Sequence, residues 1–296
     1  MNEVRTGSTT LTSGEITWLS AGDPHSPAVV CLHGFPDTAH CFDDLLPALA
    51  EAGWHAVAPW LPGYAPSAVP PAGDYRLAAL AATIAELATA VSPDRPVALV
   101  GHDWGAGITY ELCASRPELV SRAVAMSVPH PSVLAPALLS DYAQQKRSWY
   151  MFLFQLTGIA EIVVGSDDLA FVDRLVADWS PGWDVPRSYH DHITDALGGP
   201  ANLAAALGYY RAMFSPGRAA ASAPEPATGP ITTPLLYLHG VDDGCVGAEH
   251  AGGTRPPVIT GEYRADLVDG CGHFLLQEQP AAVVARITDW LGAPPH

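Results

Sequence analysis

Three short segments carry residue types that could do chemistry together. The first is Gly101-His102-Asp103-Trp104-Gly105, between the apolar run PVALV and a stretch with helix-like spacing. It has the form of the G-x-S-x-G nucleophile elbow with Asp in the place of Ser. Glycines are needed there because a strand that turns at once into a helix crowds its own backbone and leaves the middle residue projecting. An Asp at such a junction can also be a plain N-cap, so the elbow reading depends on partners elsewhere.

Two further segments follow in the order nucleophile, acid, histidine. Leu238-His239-Gly240-Val241-Asp242-Asp243-Gly244 offers an acid after a strand, with Asp243 preferred and Asp242 as a turn residue. Gly270-Cys271-Gly272-His273-Phe274 offers a histidine on a short loop. A carboxylate nucleophile makes chemical sense only for some substrates. A serine attacking an epoxide or alkyl halide carbon would leave an ether that water cannot reopen. An aspartate leaves an ester, whose carbonyl carbon water activated by His273 can attack while Asp243 fixes the imidazole.

The elements that must hold these residues are legible as alternation. Ala28 to Gly34, His55 to Pro59, Pro96 to His102, Arg122 to Val128, Pro234 to Gly240 and Tyr263 to Gly270 read as strands. Phe42 to Ala52, Tyr75 to Val91, Gly105 to Arg116 and about Ala281 to Leu291 read as helices between or after them. The predicted fold class is α/β, a mostly parallel sheet flanked by helices. After Val128 the rhythm stops. Leu139 to Leu156, Asp167 to Trp179, Tyr189 to Leu197 and Ala201 to Phe214 are helical text, closed by the Pro/Ala/Gly linker Ser215 to Pro230. The economical organisation is one core domain, residues 1–130 and 231–296, interrupted by a helical cap over 131–230.

Over nearly its whole length the chain resembles the epoxide hydrolases of the α/β-hydrolase superfamily, through HGFPD (33–37), GHDWG (101–105), VPHP (128–131), GVDD (240–243) and GCGHF (270–274). The resemblance implies an α/β-hydrolase fold and a small-molecule epoxide substrate opened to a vicinal diol without cofactor or metal. It places the nucleophile on Asp103, the base on His273 and the acid on Asp243. It places oxyanion donors on the backbone N–H groups of Phe35 and Trp104, and epoxide-oxygen donors on Tyr150 and Tyr210. Tyr209 lies about 100° round the same helix, so register decides between the neighbours. His33 and Pro36 are expected to shape the HGFP loop, and His190-Asp191-His192 lacks a closed zinc spacing.

Alternatives share parts of this pattern. A haloalkane dehalogenase uses an aspartate elbow, but its usual halide-binding Asn after the HG pair is replaced here by Phe35-Pro36. A fluoroacetate dehalogenase shares HGFP but grips its substrate with arginines that Trp104 and Gly107 cannot supply. A non-catalytic binder on this fold would be expected to have lost a triad member. Trp149, Phe152, Trp179, Trp183 and Phe274 are candidate walls for an apolar or aromatic substrate body.

Bulk properties limit partners. Of 296 residues, 14 are Lys or Arg and 31 Asp or Glu, a net charge of -17, which argues against nucleic acid and anionic membrane surfaces as partners. With 48% hydrophobic and only 15% charged residues, the chain has material for a core. No signal-peptide pattern opens the sequence, and five scattered cysteines without a C-x-x-C pair fit a reduced cytoplasmic protein. Oligomeric state stays open, a homodimer being one option.

Overall fold

In the computed structural model the described residues are 3–214, 229–252 and 255–294. They build one sheet of eight strands in the order β1-β2-β4-β3-β5-β6-β7-β8. The strands are β1 Arg5–Leu11, β2 Gly14–Ala21, β3 Ala28–Leu32, β4 His55–Pro59, β5 Val97–His102, β6 Val120–Met126, β7 Leu235–Gly240 and β8 Tyr263–Val268. From β4 to β8 every pairing is parallel, whereas β1–β2 and β2–β4 are antiparallel. Residues of β3, β4, β5 and β7 are buried throughout because helices cover both faces, which is why they read as unbroken apolar runs. The edge strand β8 exposes part of its surface.

The N-terminal hairpin was absent from the sequence expectation. Its outer strand RTGSTTL carries few large apolar side chains, and it is held by pairing with β2. Helices α1 Leu45–Glu51, α2 Leu77–Val91, α3 Trp104–Ser115, α11 Leu275–Glu278 and α12 Pro280–Leu291 accompany the sheet. Between β6 and β7 lie α4 Pro131–Ser140, α5 Tyr142–Arg147, α6 Trp149–Phe154, α7 Ile159–Gly165, α8 Ala170–Trp179, α9 Arg187–Leu197 and α10 Pro200–Met213. The linker expected over 215–230 lies outside the described residues up to 228.

Two helix expectations need correction. The span Leu139 to Leu156 is three helices, because the Asp141 side chain accepts the Ala143 N–H at 2.8 Å and starts a new helix, and a further break falls at Ser148. The helix expected from Asp167 begins only at Ala170, since Asp167, Asp168 and Leu169 all have positive φ.

The sheet order positions the site. The chain runs from β3 to β4 on one side, then returns to place β5 on the other side of β3. At such a reversal the loops leaving adjacent strand ends diverge and open a crevice. The HGFP loop leaves β3 and the elbow leaves β5, so the two loops face each other there.

Candidate active site

Asp103 joins β5 directly to α3 with φ 52° and ψ -113°, a conformation that costs a non-glycine residue on the order of 1–3 kcal/mol. Its side chain makes no capping bond to α3, which disposes of the N-cap alternative. Instead Oδ1 accepts the Phe35 N–H at 2.7 Å. Trp104 opens the first turn of α3, where N–H groups have no intrahelical acceptor. The glycines are steric necessities: a Cβ on Gly105 would collide with the Leu32 carbonyl, and one on Gly34 with the Asp103 carboxylate.

The structure brings the three distant segments together. His273 Nδ1 lies 2.9 Å from Asp243 Oδ2, and His273 Nε2 lies 3.7 Å from Asp103 Oδ2. Asp243 is buried and its Oδ1 accepts the N–H groups of Cys245 at 2.7 Å and Val246 at 2.9 Å, whereas Asp242 is exposed. Burial works to raise the Asp243 pKa, yet the facing His273 and these donors prevail and hold it below the usual carboxylate value. For His273 burial favours the neutral ring, but the charge of Asp243 and the contact with Asp103 outweigh it and push the pKa up to about 10. With Nδ1 engaged by Asp243, Nε2 is a buried nitrogen with no hydrogen-bond partner, directed toward Asp103.

Above Asp103 stand two buried tyrosines from α6 and α10, Tyr150 and Tyr210, with ring centroids 5.7 Å apart. The Tyr150 hydroxyl is 3.4 Å from Cys245 Sγ, while that of Tyr210 has no well-formed hydrogen bond. Burial, with the charge of Asp103 as a lesser cause, raises both pKa values well above the ordinary phenol, so both hydroxyls keep their protons. Tyr209 points elsewhere and donates to the Pro62 carbonyl at 2.8 Å. Both side chains line the same cavity, and the helix register leaves the hydroxyl of Tyr210, not that of Tyr209, without a hydrogen-bond partner.

Asp103, Trp104, Tyr150, Tyr210 and Cys245 line a cavity of about 740 Å³. The aromatic residues expected to wall it are placed otherwise, and that expectation is corrected. Trp149 and Phe152 lie on the outer face of α6, 48% and 57% exposed. Phe274 and Trp179 are buried beside His273, at 5.1 and 5.2 Å between ring centroids, and Trp183 packs on Phe274 and Tyr189. None of the five is in the cavity lining, because helix rotation and the loop after α8 turn them into core or solvent.

Several residues that matter had no role assigned from sequence. His102 Nδ1 lies 3.2 Å from Asp37 Oδ2, and its Nε2 lies 2.9 Å from the His273 carbonyl. Ser127 Oγ donates to the same carbonyl at 2.6 Å, and the His273 N–H donates to Ser180 Oγ at 2.9 Å. Glu278 accepts the Gly272 and Phe274 N–H groups at 2.8 and 3.0 Å and so ties down the histidine loop. Their positions inside HGFPD and GHDWG were the only signal for Asp37 and His102. His33 is structural as expected, with Nδ1 2.9 Å from the Gly34 carbonyl and Nε2 accepting the Leu61 N–H at 2.9 Å.

Among the described residues, donor groups close enough to share an ion occur at Asp243, Cys245 and His273, which is the triad itself, and at Asp141, Glu249 and His250. In the second group His250 already pairs with Asp141 at 3.0 Å, and Glu249 with Arg147 at 2.6 Å. His190 is held between Asp173 and Asp168 while His192 stacks on His40, so these two histidines do not converge. No described helix is long and apolar enough to cross a membrane.

Comparison with known proteins agrees with this geometry. Residues 27–160 match the α/β-hydrolase fold family. Epoxide hydrolase A of Mycobacterium tuberculosis is 31% identical, with 92% of each chain covered. An AB hydrolase superfamily protein of Bacillus subtilis is 28% identical, again over 92% of each chain. Among solved structures, epoxide hydrolase A of Mycobacterium thermoresistibile superposes with a TM-score of 0.77 at 25% identity over 98% of both chains. A Bacillus megaterium epoxide hydrolase crystallised with an inhibitor superposes at 0.82, 23% identity, covering 96% of this chain and 99% of the other. An aspartate elbow, a histidine paired with a buried acid and two facing tyrosines stand in a chain that matches these relatives nearly end to end: it belongs to the epoxide hydrolases of the α/β-hydrolase superfamily.

Proposed function

We propose that this enzyme hydrolyses an epoxide with an apolar body to a vicinal diol through an ester on Asp103. The observation that carries the reading is the convergence on one cavity of a carboxylate nucleophile and two protonated tyrosine hydroxyls. Asp103 Oδ2 attacks an oxirane carbon while the carbon–oxygen bond breaks, and Tyr150 or Tyr210 supplies the proton to the departing oxygen. Oδ1 then becomes the ester carbonyl, still held by the Phe35 N–H.

Ester formation removes the negative charge on Asp103 that helped hold the His273 proton. The imidazole can then release it toward the tyrosinate and become the base. His273 takes a proton from water, and the hydroxide adds to the Asp103 carbonyl carbon. The resulting oxyanion is stabilised by the N–H groups of Phe35 and Trp104, and its collapse releases the diol and restores the carboxylate. Asp243 keeps Nδ1 protonated and stabilises the imidazolium.

Residues 131–230 act in this reading as a cap that supplies the tyrosines and dries the site. A cytoplasmic location is supported by five buried cysteines without disulfides. The test is a panel of aryl and aliphatic epoxides and haloalkanes given to wild type and Asp103→Ala. Diol formation by wild type, with turnover lost by at least about 10³-fold in the variant, is expected. Halide release without diol would replace epoxide by haloalkane as the substrate class.

A further inference from the structure

Tyr150 and Tyr210 face one cavity from α6 and α10, but their hydroxyls stand in different surroundings. That of Tyr210 is buried without a hydrogen-bond partner, whereas that of Tyr150 lies 3.4 Å from the thiol of Cys245, which also lines the cavity. Either atom of that contact can be the donor. The thiol is placed by the backbone that carries it. The Cys245 N–H donates to Asp243 Oδ1 at 2.7 Å, and the Cys245 carbonyl accepts from Gln144 Nε2 of α5 at 2.8 Å. Gln144 Oε1 in turn accepts the Gly247 N–H at 3.0 Å, so one buried amide grips the loop on both sides of Val246. The loop that presents the acid thus also holds a thiol against Tyr150.

A proton donor works better when the oxygen it leaves behind is stabilised. As Tyr150 passes its proton to an oxirane oxygen, charge gathers on a phenol oxygen in a buried site, where an unsupported charge is costly. The hydroxyl proton is then gone, and only the S–H can fill the contact with Cys245. A thiol is a weak donor, but it serves as long as it keeps its proton. Burial, with the charges of Asp243 and Asp103 as lesser causes, pushes the Cys245 thiol pKa up, so the S–H is retained. The Tyr210 oxygen has no such partner.

We propose that Cys245 is a positioning residue that makes Tyr150 the acid of ring opening, its S–H donating to the Tyr150 oxygen as the phenolate forms, while Tyr210 holds the epoxide oxygen by a hydrogen bond. In that step Asp103 Oδ2 bonds to carbon, the carbon–oxygen bond breaks, and the Tyr150 proton moves to the departing oxygen. The thiol proton stays on sulfur. The proposal rests on the epoxide reading above and assigns its proton.

Single-turnover kinetics that follow ester formation and ester hydrolysis separately test it, with styrene oxide as substrate, or epoxyhexane should the aryl epoxide be refused. Cys245→Val, close in size but without a donor, should slow ester formation by about 5- to 30-fold and leave ester hydrolysis within about twofold. Cys245→Ala serves the same purpose should the valine variant fail to fold. Cys245→Ser, which restores a donor, should bring ester formation back to within about threefold of wild type. In a Tyr150→Phe background Cys245→Val should cost nothing further, and in a Tyr210→Phe background its full cost should remain. Equal costs in the two backgrounds, a serine variant as slow as the valine one, or equal slowing of both steps would leave Cys245 a packing role and overturn the proposal. Failure of the epoxide reading has a different signature. Wild type would then release halide and form no diol, and Cys245→Val would leave ester formation unchanged, because a halide departs without a proton.

Discussion

His102, the residue immediately before Asp103, has its Nε2 2.9 Å from the main-chain carbonyl of His273, 171 positions later in the chain. On the proposed mechanism the elbow thus holds both reactants of the ester-hydrolysis step, Asp103 through the backbone and His273 through His102. Asp37, itself bonded by Gln277 at 2.9 Å, lies behind His102 and orients its ring. Burial works to raise the Asp37 pKa, but the facing His102 prevails and lowers it, with the hydrogen bond from Gln277 as a lesser cause.

This makes His102 a positioning residue for the second half-reaction. His102→Leu should slow hydrolysis of the ester by about 10- to 100-fold, the scale of a sub-ångström to ångström displacement, while alkylation of Asp103 is much less affected. His102→Gln, which can still donate to the carbonyl, should recover part of the rate. Single-turnover kinetics resolve the two steps. Equal slowing of both would reduce His102 to a packing role.

Removing the base should expose the intermediate. His273→Gln is expected to stop turnover after one alkylation, so that intact-protein mass spectrometry shows the chain heavier by one substrate molecule. An unmodified mass after exposure to substrate would remove His273 from the hydrolytic step. The trapped mass should vanish when Asp103→Ala is added to the same chain.

The tyrosines should separate by register. Tyr150→Phe and Tyr210→Phe each remove a proton donor and should lower the rate of ring opening by about 10²-fold or more, and the double variant further. Tyr209→Phe loses only the bond to the Pro62 carbonyl. It should cost about 1 kcal/mol of stability and little activity. Full activity in Tyr210→Phe with a large loss in Tyr209→Phe would reverse the assignment.

His273 also links stability to pH. Its folded-state pKa of about 10 lies above its ordinary 6.5, so the folded protein binds this proton more tightly than the unfolded chain. The stabilisation is complete below about pH 6.5 and is lost as pH rises toward 10. Asp243 has the opposite sense, its lowered pKa contributing stability that is lost on acidification. Thermal melts of wild type and His273→Gln should therefore converge as pH is raised from 6.5 to 10. Divergence over that window would contradict the assigned charge state.

Much of the architecture is local information. The buried strands β3, β5 and β7 announce themselves as apolar runs because both faces are covered, and the glycines of the elbow announce a turn that no side chain at Gly105 would permit. Asp103, His273 and the pair of candidate acids follow from residue type and order along those elements. What the sequence could not contain is direction. Asp243 rather than Asp242 faces His273, and the Tyr210 hydroxyl is left without a partner while that of Tyr209 is bonded to the Pro62 carbonyl, because loop and helix rotation are decided by packing across the fold. Trp149 and Phe152 turned outward for the same reason, and His102 acquired its partner only when β5 and the loop after β8 came together. Residue chemistry is written along the chain, but which atoms meet is a long-range property of the closed structure.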